Sequence, residues 1–237
     1  MKRGMECSEC PSKNDSPFKE LACTDLEKLS CHKVTNLYKK GQTLFVEGSP
    51  SYGTYCISKG NVKLTKQGED GRESIVRIAS AGDILGHRSL FSNENFKATA
   101  TALEDSVICF IDKQYIYNLI KENPSVALNV IQKLSTVLGS CEEKIASGHQ
   151  KNIFQRTCEV LLILNQTHGE EFSTDGETHH KINLKLTREE LASYVGTSAE
   201  TLIRTLSDLK SEGTISQDGK FIVLNKFDKI LEYSQVQ

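Results

Sequence analysis

Apolar positions along this chain follow two main rhythms. Between Val34 and about Ile111 they fall in short β-type runs, "TLFVEG", "GTYCISKGNVKL", "SIVRIASAGD" and "SVICFID", bounded by Gly41, Gly48, Gly60, Gly71 and Gly82. Asp70-Gly71 is a two-residue hairpin signal, and Lys59-Gly60-Asn61 marks another turn. Many short strands at roughly ten-residue spacing predict a sandwich or barrel.

From about Lys113 to Gly148 the period becomes helical, with Pro124 the sole proline. Ile131, Leu134, Leu138, Cys141, Ile145 and Gly148 follow each other in alternating steps of three and four, which is a heptad seam. Such a helix either lies on the β domain or zips to a parallel twin. In the second case Cys141 faces its counterpart; in the first it is a small core residue. Helical periodicity resumes in "IFQRTCEVLLILNQ" and gives way to "THGEEFSTDGETHHK", expected to be a solvated polar loop. Its His168, His179 and His180 are the residue types that bind metals, but loop composition favours solvation.

The last segment, "LTREELASYVGTSAETLIRTLSDLKSEGTISQDGKFIVL", is the most informative. Thr187 followed by Glu190 is a capping box opening one helix. Gly196 supplies a tight turn, and Thr197 or Ser198 caps a second helix, with Glu200 placed for a second box. Leu191, Val195, Leu202, Leu206 and Leu209 form the inward face. Two helices joined by a short glycine-containing turn make a helix-turn-helix, and the strands around Asp218-Gly219 make a wing. The outward face of the second helix shows Ala199, Glu200, Ile203, Arg204 and Ser207. Arg204 suits guanine O6 and N7, Glu200 suits cytosine N4, and Ile203 suits a thymine methyl. A surface ion pair between Glu200 and Arg204 is the competing reading. Arg188 and Lys220 add cations at the first helix and the wing.

Charge sharpens this picture only locally. The net charge is −2; residues through His149 carry 19 basic and 18 acidic side chains, leaving 10 against 13 beyond. DNA contact must therefore come from a patch rather than from bulk charge. The start, "MKRGMECSECPSKND", has no apolar core after its basic residues, and no stretch approaches the roughly 20 apolar residues of a membrane span. A cytoplasmic protein with no membrane partner is expected. Its eight cysteines then read as free thiols or metal ligands rather than as a disulfide framework. No nucleophile–base pair, P-loop or zincin motif points to an enzyme.

The order of a glycine-punctuated β domain, a long helix and a winged helix-turn-helix resembles the CRP/FNR family of bacterial transcription regulators. "KKGQTLFVEG", "AGDILGHRSLF", "LTREELASYVGTSAETLIRTLSDLKSEGTI" and "GKFIVL" carry the resemblance, which covers nearly the whole chain. It implies an α+β architecture: a cysteine-bearing segment (1–30), an antiparallel β-roll or jelly-roll sensor domain (31–112), a dimerisation helix (113–149) and a winged helix-turn-helix (150–237). It further implies a homodimer on palindromic double-stranded DNA, with RNA polymerase as a partner. The family's recognition-helix core falls on Glu200, Thr201 and Arg204.

The ligand site departs from that resemblance. Cyclic-AMP binders of the family place a carboxylate where His87 stands, and an Arg-Ser pair where Lys97 and Ala98 stand. Loss of those contacts argues against cyclic AMP. His87, Arg88, Ser89 and Lys97 are the candidates for lining a pocket for some other anion. Another branch of the family senses oxygen with an iron–sulfur cluster. Cys7, Cys10 and Cys109 match its ligand pattern, but Ser16 stands at the third position, and Cys23 is the nearest substitute. The alternatives to an effector-controlled regulator are thus a redox or metal sensor using Cys7, Cys10, Cys23 and Cys109, and a ligand-binding module without DNA function.

Overall fold

The computed structural model describes residues 5–69, 71, 73–174 and 176–235, which form two compact units divided after Gly139. In the first unit two four-stranded antiparallel sheets face each other. One has the order β1-β8-β3-β6, built from β1 (Lys33–Tyr38), β3 (Gly53–Lys59), β6 (Ile84–Leu85) and β8 (Ser106–Asp112). The other has the order β2-β7-β4-β5, from β2 (Thr43–Phe45), β4 (Val62–Gln67), β5 (Glu73–Ala79) and β7 (Thr99–Ala102). Ile57, Val62, Ala79, Leu85, Phe96, Ala100 and Ile108 fill the space between them. Asp70, half of the predicted hairpin signal, lies outside the described residues, though β4 and β5 do pair antiparallel on either side of it. Gly53 opens β3 so close to β8 that an added Cβ would sit 2.2 Å from the Ile111 carbonyl oxygen; no other residue fits there unchanged.

A second core lies beneath the first sheet and changes the status of the N-terminus. Phe18 and Leu21 of the leading segment, together with Leu26 and Leu29 of α1 (Cys23–His32), are buried with Ile84, Leu90 and Ile111. Ile116 and Leu119 of α3 (Lys113–Glu122) and Val126 and Val130 of α4 (Pro124–Gln150) complete it. The described part of the cysteine-bearing segment, from residue 5 on, is therefore a layer of the roll domain rather than a separate piece.

The helix expected over 113–149 is two helices. Asp112 caps α3 by accepting from the Tyr115 amide, and Asn123, at φ −130° and ψ 82°, leaves the helical region before Pro124 starts α4. Proline suits a first helical position because its missing N–H has no intrahelical partner there. α4 then runs on to Gln150.

In the second unit the end of α4 is followed by α5 (Ile153–His168), started by a capping box between Asn152 and Gln155. The predicted polar loop is instead a hairpin, β9 (Gly169–Thr174) and β10 (Glu177–Ile182). Every residue of β9 is exposed, so it has no buried face to advertise it by alternation. β10 pairs with β12 (Phe221–Leu224), which pairs with β11 (Ile215–Asp218), giving the sheet order β11-β12-β10-β9. The predicted wing is thus extended by two strands. His179 and His180, neighbours on β10, point to opposite faces as strand geometry requires: one ring lies against Phe172, the other against Phe227 of α8 (Phe227–Ser234).

Candidate nucleic-acid interface and thiol-lined cavity

The helix-turn-helix consists of α6 (Arg188–Val195) and α7 (Ala199–Ser211). Thr187 and Glu190 form the predicted capping box, their backbone amides and side chains paired at 2.9 and 3.1 Å. Gly196 ends α6 in the left-handed region at φ 80°, a conformation glycine adopts without steric cost. Arg156 of α5, a residue sequence reasoning did not single out, donates to the Gly196 carbonyl at 3.4 Å and so braces the turn. Ser198 is the N-cap of α7, its hydroxyl accepting from the Thr201 amide. This assignment puts Glu200 at the second helical position rather than the third, so the expected second capping box does not form.

Leu191, Val195, Leu202, Leu206 and Leu209 are all buried as expected, which orients the rest of α7. Glu200, Ile203, Arg204 and Ser207 are exposed, and Ala199 and Thr197 are half-buried at the start of the helix. No ion pair closes between Glu200 and Arg204 among the described residues, so the competing surface-pair reading finds no support. Ser198 is exposed but its hydroxyl is committed to the cap. Arg188 is half-buried and Lys220 is exposed at the turn of the wing. Beside it, Lys185 and Lys181 both lie over the Phe221 ring, at 5.2 and 4.7 Å, and Lys181 also meets Asp218 at 2.6 Å.

The predicted seam on α4 is largely bare. Ile131, Leu138 and Ile145, spaced seven apart, are 57%, 61% and 64% exposed, and Cys141 is exposed between them. Leu134 departs from the set, packing partly against the second core of the roll. Leu128, also exposed, extends the stripe by a turn.

The four candidates for an anion pocket meet different surroundings. Arg88 points to solvent and Ser89 is buried one position later on α2 (His87–Ser92). Lys97 is ion-paired with Glu94 at 3.7 Å. His87 is no solvated rim residue: it is buried, its Nδ1 has no hydrogen-bond partner, and burial with the nearby Arg77 pulls its pKa down to about 4. Asp83, which opposes that effect, is itself held by Arg77 and Lys133, each at 3.1 Å.

The thiols tell a different story. Cys7, Cys10, Cys56 and Cys109 line one cavity, together with Ser12, Ser16, Ser58, Lys33, Phe18, Leu26 and Leu29. Cys23, the expected substitute ligand, is exposed at the start of α1 and is absent from the lining. Cys56 takes the place assigned to it: on β3 it stands opposite Cys109 of β8 in the strand register. Ser16, where a third N-terminal thiolate was sought, has its hydroxyl tied up in a turn, donating to the Lys13 carbonyl at 2.7 Å and accepting from the Phe18 amide at 3.2 Å.

The electrostatics of the cavity push its thiols in opposite directions. Burial would raise the Cys10 thiol, but the hydroxyls of Ser12 and Ser58, at 3.3 and 3.2 Å, and Lys33 outweigh it and leave its pKa below the usual thiol range. Burial works against the charge of Lys33 too, yet Cys109, Cys7 and Cys10 hold that ammonium above its ordinary value. Burial pushes Cys56 up, reinforced by the neighbouring sulfurs. Four cysteines line this space, yet among the described residues no three Cys, His, Asp or Glu groups are placed to hold a metal ion.

Comparison with known proteins bears on both regions. Residues 35–123 match the cyclic nucleotide-binding domain family, and residues 155–233 match the Crp-like helix-turn-helix domain family. The cAMP-activated global transcriptional regulator of Mycobacterium tuberculosis is 26% identical over 193 residues, covering 81% of this chain and 84% of that protein. The fumarate and nitrate reduction regulatory protein of Vibrio cholerae is 27% identical over 198 residues, covering 84% and 77%. Among solved structures, FixK2 of Bradyrhizobium japonicum superposes with a TM-score of 0.74 at 21% identity, covering 86% of this chain and 98% of that one. That likeness is one of fold. Among the described residues no helix is long and apolar enough to cross a membrane.

Proposed function

From the premise that this chain belongs to the CRP/FNR family of DNA-binding transcription regulators, we propose that it works as a homodimer on a palindromic site, switched by a signal received in its roll domain. The observation that carries this reading is the outward face of α7, where Glu200, Ile203 and Arg204 are exposed and free of one another while the leucines beneath are fully packed. A helix so presented offers its first turns to base edges in the major groove. Arg204 would read guanine, Glu200 cytosine and Ile203 a thymine methyl. Lys220, Lys185 and Arg188 would meet phosphates, which set position rather than sequence.

The bare stripe on α4 supports the dimer. A helix that leaves Ile131, Leu138 and Ile145 in water has an apolar seam with the heptad spacing of a two-stranded coil. Two recognition helices related by the resulting two-fold axis would address half-sites about one helical turn apart, some 10 bp centre to centre. The signal is not cyclic AMP in this reading, because His87 and Lys97 stand where a carboxylate and a bidentate arginine would be needed. RNA polymerase is the partner that such a bound dimer would recruit or exclude.

Selection of binding sites from random duplex DNA, with the mass of the protein measured in solution, tests the proposal. Enrichment of an inverted repeat by a dimer is the expected result. Enrichment of a single unrepeated half-site by a monomer, or of no sequence at all, would overturn it.

A further inference from the structure

We propose that Glu159 is a positioning residue that sets which half-site spacing this regulator accepts. It locks the last turns of α4, which carry Ile145 of the seam, to α5, on which the helix-turn-helix is built. This role deepens the reading of the chain as a dimer on an inverted repeat, and rests on it.

The end of α4 belongs to the same compact unit as α5 to α8. Only Lys151 and Asn152 separate Gln150 of α4 from Ile153 of α5, so the chain turns through a two-residue elbow. One carboxylate spans it. Glu159, about two turns into α5, accepts from the Ser147 hydroxyl with one oxygen and from the Lys151 ammonium, at 2.7 Å, with the other. Ser147 is 5% exposed, and the side chains of Lys151 and Glu159 are 17% and 27% exposed. Charge-assisted bonds covered to this degree keep more of their strength than surface pairs do. A second strut stands beside the first: the Lys144 ammonium lies 4.3 Å from the centre of the Tyr194 ring of α6.

On its other faces α5 is the hub of the DNA-binding unit. Thr157, Cys158, Val160, Leu161 and Leu164 are buried, and the helix packs against α6, α7 and α8. One turn before Glu159, Arg156 reaches the Gly196 carbonyl in the turn between α6 and α7. The angle that Glu159 fixes between the end of α4 and α5 is therefore also the angle between that end and the recognition helix. Ile145, the last apolar side chain of the seam, is exposed two positions before Ser147 on the same stretch of helix.

Duplex geometry turns this angle into selectivity. One added base pair moves two half-sites apart by about 3.4 Å and rotates them by about 35° about the duplex axis. Recognition helices held by a stiff elbow cannot follow both changes, whereas a loose elbow lets them. Arg204, Glu200 and Ile203 lie outside the elbow, so base preference within a half-site is a separate property.

The test uses the full chain and fluorescence anisotropy. Duplexes carry the selected inverted repeat, the same repeat with its spacing changed by one or two base pairs, or a single half-site. The parent should lose roughly tenfold or more in affinity when the spacing changes by one base pair. Glu159→Ala should accept the neighbouring spacings within about threefold of the best one, because both half-sites can still be engaged together. It should bind the single half-site as the parent does, with unchanged base preference. Glu159→Gln, whose amide oxygen still accepts from Ser147 and Lys151, should restore most of the discrimination. Lys151→Met, which removes one contact only, should broaden the spacing profile to a smaller extent and serves if Glu159→Ala does not fold. The parent's spacing profile in Glu159→Ala, or in Lys151→Met where that variant stands in for it, would overturn the proposal. So would an equal loss on the single half-site and on every spacing, the mark of a merely destabilised domain. In those cases the parent's preference for one spacing would leave the dimer reading standing, whereas a parent indifferent to spacing would take both down.

Discussion

Lys133 of α4 meets one carboxylate oxygen of Asp83 at 3.1 Å, while Arg77 of β5 meets the other at the same distance. The turn before β6 is thus tied to α4 by a shared charge, and His87 sits buried beside it. Burial, aided by Arg77 and Lys133 against the pull of Asp83, keeps this imidazole neutral, with its pKa at about 4 against about 6.5 when the chain unfolds.

That displacement makes stability fall with acid. Above pH 6.5 His87 is neutral in both states and costs nothing. Between pH 6.5 and 4 the unfolded chain takes up a proton that the folded chain refuses, so stability declines, by up to about 3 kcal/mol when the folded pKa is passed. Urea unfolding across that range should show the decline, and His87→Gln should flatten it. A variant with the same acid dependence as the parent would remove His87 as the cause.

Leu138→Asp is expected to leave the fold of each chain intact, because the side chain is 61% exposed. It should nevertheless abolish the dimer by placing two carboxylates in the seam. Sedimentation should report a monomer. Affinity for a two-half-site duplex should drop by roughly a hundredfold or more, as the second binding event ceases to be intramolecular. A dimer that survived this change would show that another face makes the contact.

Arg204→Ala should weaken binding to the selected site by roughly 1–3 kcal/mol, about five- to 150-fold, and relax preference at one base pair in each half-site. Lys220→Ala should instead weaken binding to all sequences evenly and lessen its salt dependence. Fluorescence anisotropy on matched and single-substituted duplexes separates the two patterns. Equal loss on every sequence for Arg204→Ala would reassign it to a phosphate.

Thr187→Ala removes the cap of α6 and should cost about 1 kcal/mol, with Thr187→Ser restoring most of it. Thermal unfolding reads the change directly. No loss would mean that the packing of Leu191 and Val195 sets the start of this helix by itself.

What could be read from the chain beforehand follows the range of each signal. The helix-turn-helix was legible down to the exposure of single side chains, because Thr187, Gly196 and Ser198 act within a few residues of where they stand. The one local error, the Glu200 box, turned on whether Thr197 or Ser198 was the cap, a shift of one position. The seam on α4 is legible as spacing; the break at Asn123 has one local marker, Pro124, which an apolar period running on both sides of it masks. β9 escaped because a strand with no buried face has no alternation, and β10 because its partly buried residues are the polar His179, His180 and Lys181, with Ile182 alone apolar and buried at its end. The thiol cavity depended on long-range pairing: Cys56 reads as one more apolar position in "GTYCISKG", and only the register of β3 on β8 sets it against Cys109.

The break before Pro124 has a mechanical meaning for whatever signal arrives. Torque on a continuous rod is carried along its ladder of backbone bonds and dissipates as gentle curvature. Here the ladder is interrupted at Asn123, and Ile116 and Leu119 of α3 pack in one core with Val126 and Val130 of α4. Asn123 is therefore the place where a change of angle between α3 and α4 disturbs the fewest helical hydrogen bonds.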